Sequence, residues 1–204
     1  MVTALVEKPQ VEFEAWRDLE FTVEGISSVL MHNWRGNLRQ ETGIVKKKER
    51  PTPEQEAPKY VYRDADGHLA LPATHMRKSM IDAAARFPAP GQRYRYSYIL
   101  KGAMQFDAMH TMFVLHDENG TPIDDYGVNV ERVVVGTAGV ERGRPEINPP
   151  WFMTCRYVLD LSLTDMASIE KVIQTAGKMH GVGDYRPSTG GWHGAFRLTR
   201  IALR

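Results

Sequence analysis

The chain has 204 residues, of which 42% are hydrophobic and 25% charged, the ordinary composition of a soluble globular protein, and long enough to bury a sizeable core. No apolar run approaches the ~20 residues of a membrane helix, the opening MVTALVEKPQVEFEAW lacks the pattern of a signal peptide, and Cys155 as the only cysteine excludes an internal disulfide or a multi-cysteine zinc site and fits a reducing cytoplasm. The formal net charge of +1 hides segregation: residues 31–50, 77–101 and 184–204 sum to +4, +5 and +3, against −4 for 1–30 and −5 for 102–130. A local basic surface, rather than a basic total, is what a nucleic-acid binder needs.

LEFTVEGISSVL (19–30) places Phe21, Val23 and then Ile26 in alternation and predicts a first strand. Residues 31–59 follow without a steady period, carrying Lys46, Lys47 and Lys48 and three prolines. This is long for a loop inside one domain, and such excursions tend to be functional or disordered. YVYRDADGHLALP (60–72) predicts a short hairpin around an Asp-Ala-Asp-Gly turn. Residues 73–87 predict a helix with Met76, Met80, Ala84 and Phe87 on one face, Thr74 as N-cap and Pro88 as stop.

RYRYSY (93–98), read as extended, sets Arg93 and Arg95 opposite Tyr94, Tyr96 and Tyr98. Basic and aromatic side chains together suit single-stranded nucleic acid; the competing reading is a half-buried strand with solvated arginines. Further on, residues 109–123 predict a strand and an Asn-Gly turn. Residues 128–148 predict a hairpin with a Gly-rich tip, and 151–163 a long alternating strand. Residues 164–181 predict a helix with Met166, Ile169, Ile173 and Ala176 inward and Gly177 or Gly181 closing it, and 195–203 a last strand. Two helices among mostly antiparallel strands predict a single α+β domain of ferredoxin-like (RRM-like) type.

The loop GVGDYRPSTGGWHG (181–194) follows a helix and enters a strand, the reverse of a dinucleotide fingerprint. Its glycines, Gly190 and Gly191 among them, allow backbone to approach a phosphodiester chain. Arg186 and Arg197 can pair with phosphate, and Tyr185 and Trp192 can stack on bases. The plainer reading is a connector. The seven histidines show no HExxH spacing and no metal site is expected. His180 or His193 offers a general base near a phosphodiester, against a surface or capping role.

Three segments in succession, DGHLALPATHMRKSM, GTAGVERGRPEINPPWFMTCRYVLDLSL and GVGDYRPSTGGWHGAFRL, resemble the RAMP superfamily of CRISPR proteins, most closely the backbone subunits that bind along the guide RNA. The resemblance covers about residues 19–203. It implies a ferredoxin-like palm and a thumb- or finger-like excursion at 31–59 bearing His32, Trp34, Arg35, Arg39, Lys46, Lys47 and Lys48. RNA would pass the start of the helix at His75, Arg77 and Lys78, then the loop at Tyr185, Arg186, Gly190, Gly191, Trp192 and His193. It further implies a cytoplasmic homo-oligomer or filament with other effector subunits, bound to guide RNA, with a single-stranded DNA target as a second candidate ligand, and no cofactor. Residues 31–59 contain no aspartate, where the target-cleaving branch has one, so the resemblance does not extend to target cleavage. The alternatives are a metal-independent repeat-RNA-processing endoribonuclease, with His32 but no obvious partner, and a phage or mobile-element single-strand-binding protein.

Overall fold

The computed structural model describes residues 15–35, 51–135 and 138–204. Its main sheet is antiparallel throughout. β1 (Trp16–Gly25) lies between β9 (Phe196–Leu203) and β8 (Phe152–Asp160); β5 (Met112–His116) and β3 (Ala70–Pro72) extend the sheet beyond β8, and β4 (Met104–Phe106) pairs with β8 as well. Period-2 patterning sets the faces. Leu19, Phe21 and Val23 of β1 and Met153, Cys155, Tyr157 and Leu159 of β8 are buried on one side. On that side lie α2 (Ala73–Ala84) and α4 (Met166–Met179), which bury Met76, Met80, Ile169 and Ile173 in the same core. The arrangement is α+β, helices over one face of an antiparallel sheet.

The smaller sheet has the order β2 (Val29–Leu30), β7 (Ala138–Ile147), β6 (Gly127–Val135). The turn α1 (Pro53–Glu56) begins at Thr52, whose hydroxyl accepts from Gln55 N while the Gln55 side chain accepts from Thr52 N, a reciprocal cap. It packs so closely on β7 that a Cβ on Gly143 would lie 1.9 Å from the Pro53 carbonyl oxygen.

Several boundaries differ from expectation. Ile26 is exposed because β1 ends at Gly25, whose missing side chain makes room for the Trp151 ring. The N-cap of α2 is Pro72, which offers no side-chain cap, and Thr74 lies inside the helix. Phe87 lies beyond the helix end yet still packs against the core. Gly181, at φ +65°, closes α4, and its N–H reaches Ala176 O at 2.8 Å; Gly177 instead admits the backbone of Phe196.

The main correction concerns residues 93–98. They are not an extended segment: Arg95 is the N-cap of a helix, α3 (Tyr96–Ala103). Tyr96, Ser97, Leu100 and Ala103 are its buried residues, a spacing of one, four and seven that fits a helix face and no strand. The Tyr96 hydroxyl meets that of Thr164 in the interior. Among the described residues no helix is long and apolar enough to cross a membrane.

Candidate functional site

Three segments distant in sequence meet beside the smaller sheet. The first leaves β2 at Met31, whose N–H bonds Pro145 O at 3.0 Å. Asn33 N–H donates to Tyr60 O at 3.0 Å and the Tyr62 hydroxyl to His32 O at 3.0 Å, so the strand exit and the returning chain at 60–62 are fastened together. The second is the first turns of α2. The third is the Gly-rich loop, held against β2 by Asp184 N donating to Leu30 O at 2.8 Å. Gly183, at φ +78°, makes that approach possible, since a Cβ there would lie 2.5 Å from Leu30 O.

Two adjoining cavities result, with His75 in the wall of both. One, of about 270 Å³, is lined by His32, His75, Lys78 and the loop residues Gly183–Arg186 with Thr189. The other, of about 590 Å³, lies between Asn33–Arg35, Tyr62–Arg63, the start of α2 and Thr111–Met112. Their walls carry four basic side chains, Arg35, Arg63, Lys78 and Arg186, and one carboxylate, Asp184. Arg63 is tied to the carbonyls of Gly67 and Asp124, and Lys78 pairs with Asp82 one turn along α2. Arg35 and Arg186 have no carboxylate partner among the described residues.

The two histidines are held neutral. Burial, with Arg186 nearby, pushes His75 down to about 4, and burial also lowers His32, which stacks on Tyr60 at 4.3 Å. The Nδ1 atoms of both are buried without a hydrogen-bond partner, and this loss of hydration outweighs the nearby Asp184 carboxylate, which acts in the opposite direction.

Behind the loop lies a buried ionic cluster. Arg144 of β7 is only 5% exposed; it sits 2.9 Å from Asp184 and 3.3 Å from Glu131 of β6, with its guanidinium over the Tyr185 ring. His193, 3% exposed, shares a hydrogen bond with Ser28 at 2.8 Å and approaches Glu131 at 3.6 Å. The cluster joins the hairpin, the β1–β2 connection and the loop. It also gives the one carboxylate in the cavity wall a cationic partner, which that carboxylate shares with Glu131.

Of the expected contacts, His32, Trp34, Arg35, His75, Lys78, Tyr185 and Arg186 line these cavities. Trp192 does not, but it is exposed and packs edge-on to Tyr185 at 5.6 Å. Gly190 is open to solvent. Four others are engaged within the fold. His193 is buried and committed to Ser28. Arg77 points the other way, donating to Lys101 O at 2.7 Å and Met104 O at 3.3 Å and so holding the end of α3. Gly191 is needed by the loop itself, because a Cβ would lie 1.8 Å from Tyr185 O. Arg197 forms a two-pronged ion pair with Glu24. Arg93 and Arg95 are exposed at the approach to α3, away from both cavities. Arg39, Lys46, Lys47 and Lys48 lie outside the described residues.

Sequence reasoning passed over Asp184, Arg144, Tyr62 and Arg63. The first two form an ion pair between residues forty apart in the chain, for which no local pattern exists. The sheet face away from the helices is a ladder of paired polar groups: Arg156 and Arg204 on Glu20, Thr22 on Thr154, Arg197 on Glu24. Arg156 lowers the Glu20 pKa further by hydrogen bonding.

The chain matches no model of a known protein family, and no curated protein matches it.

Proposed function

We propose that the protein is a non-catalytic single-stranded nucleic-acid-binding protein on a ferredoxin-like frame, serving as a guide-RNA-binding backbone subunit of a CRISPR effector complex. The strand order β9-β1-β8-β5, with α2 between β1 and β5 and α4 between β8 and β9, supports that frame, since it is the order of a split βαβ pair. The observation that carries the reading is the convergence on one pair of cavities of three basic and aromatic segments: the strand exit, the helix start and the Gly-rich loop. Arg186 and Arg35 supply phosphate pairing, and Tyr185, Trp34 and Trp192 supply faces for unstacked bases. The outer sheet face is a poorer candidate, because Arg156, Arg197 and Arg204 there are already paired with Glu20 and Glu24.

An endoribonuclease reading gains a partner for His32 in His75 but loses its acid. With His75 near 4, roughly one molecule in a thousand carries that imidazolium at pH 7, and 2′-hydroxyl attack at phosphorus needs one protonated group for the leaving oxygen. Neutral imidazoles suit contact rather than cleavage.

The test is a filter-binding salt titration with single-stranded RNA and DNA, for wild type and for Arg186→Ala. Affinity falls steeply with salt, and the variant lowers the slope of log K on log salt by about one. A flat response, or no binding at low salt, refutes the reading. Competition between RNA and DNA separates a guide-RNA subunit from a general single-strand binder, and nucleic acid recovered with the protein from its host identifies the strand.

A further inference from the structure

We infer that one face of α3 is a second contact surface for single-stranded nucleic acid, separate from the cavities. Arg95, Tyr98 and Lys101 follow one another at spacings of three along the helix, so they share a face about 9 Å long. All three are exposed, Tyr98 at 68%. Lys101 Nζ lies 5.7 Å from the Tyr98 ring centroid. Through Arg77, which bonds Lys101 O and lies over the Phe106 ring at 5.5 Å, the stripe continues to a second exposed aromatic.

The local charge pattern fits such a ligand. Several cations elsewhere are neutralised, Arg197 by Glu24, Arg156 and Arg204 by Glu20 and Lys78 by Asp82, whereas the cations of this face stand in a stretch without carboxylates. Residues 83–106 contain Arg86, Arg93, Arg95 and Lys101 and no acidic residue at all. Among the described residues no carboxylate pairs with Arg93, Arg95 or Lys101. Cations left unpaired beside open aromatic rings complement a chain that offers negative charge and π faces in alternation, which is a single strand of nucleic acid. An acidic protein segment would use the charge but not the rings.

The surface lies across α2 from the cavities. Lys78 and His75 face one way and Arg77 another, about 100° and 200° round the helix respectively. The inference rests on nucleic-acid binding by the protein, not on the cavities being the first site.

The experiment compares wild type, Arg95→Ala/Tyr98→Ala/Lys101→Ala, and Lys78→Ala/Arg186→Ala, using 6- and 30-nucleotide uridine oligomers. Photocrosslinking with 4-thiouridine is mapped to peptides, and thermal melts confirm folding. The α3 variant is expected to bind the 6-mer as wild type does and the 30-mer about tenfold more weakly, with Tyr98 crosslinked in the wild type. The cavity variant is expected to lose the 6-mer and keep the Tyr98 crosslink. A folded α3 variant that binds the 30-mer as wild type does, with Tyr98 uncrosslinked, overturns the inference. So does α3-dependent binding of a polyglutamate peptide with 30-mer affinity unchanged, which would make the face an acidic-protein surface. If both oligomers depend on α3 and neither on Lys78 and Arg186, the inference holds and the cavity reading fails.

Discussion

Arg144→Met cuts the ionic cluster at its centre. The guanidinium is 5% exposed and stands 2.9 Å from Asp184 and 3.3 Å from Glu131. Deleting one partner of a buried ion pair costs roughly 3–5 kcal/mol when the other charge is left dry. Here the abandoned carboxylates keep 37% and 22% of their side-chain surface, so water relieves part of that and the cost falls to about 2–3 kcal/mol. Methionine replaces most of the arginine stem, so no large cavity opens. Asp184→Asn leaves Arg144 on Glu131 and costs about 1 kcal/mol. The double variant is more stable than the sum of the two losses by about 1 kcal/mol. Urea unfolding followed by circular dichroism and by tryptophan fluorescence measures all three, with unchanged m values. Single-strand affinity separates charge from packing. Arg144→Met bares the carboxylate in the cavity wall and lowers affinity about tenfold, or ~1.4 kcal/mol; Asp184→Asn removes the repulsion and raises it. A loss of stability under about 0.5 kcal/mol for Arg144→Met, or affinities moving in the same direction for both variants, refutes the reasoning.

Acid destabilises the protein through its buried histidines. The His75 pKa lies near 4 in the folded chain and about 6.5 in the unfolded one. The unfolded chain therefore takes the proton first: stability is full above about pH 7 and is lost as pH falls through 6.5 toward 4, by up to about 3 kcal/mol. His32 and His180 act in the same direction; unfolding free energy measured against pH shows the slope, reduced in His75→Gln. Gly191→Val melts far below wild type, because its Cβ would meet the Tyr185 carbonyl. Gly190→Val, with open space but a φ of +88°, loses about 1–2 kcal/mol; equal melting temperatures would overturn this. Arg77→Ala, which removes two bonds to the end of α3, lowers stability by about 1–3 kcal/mol, and an unchanged melt would show that the bonds contribute nothing.

The sequence made some of these elements readable and hid others, for physical reasons. α2 and α4 carry long apolar periods, and the alternation in β1 and β8 is equally plain, because each element buries a single face. α3 was hidden by a coincidence: Tyr94, Tyr96 and Tyr98 alternate like a strand, yet only Tyr96 is buried, and it belongs to a helix face with Leu100 and Ala103. The period of buried residues decides an element, and burial is not written beside the letters. At the site, the residue types in 32–35, 75–78 and 185–186 were visible as basic and aromatic segments, with their placement suggested by family resemblance. Which cation was free was not visible. Arg77, Arg197 and His193 look like Arg186 in the sequence and differ only in what the fold sets beside them.

The fastening at Asn33 and Tyr60 has a consequence for how such a chain can change. That hydrogen bond, Met31 on Pro145 and α1 seated against Gly143 tie the two arms 31–35 and 51–62 to each other and to β7 at three separate points. A substitution that loosens one tie leaves the cavity walls held by the other two, so single changes along these arms can alter what the walls present without releasing the walls themselves.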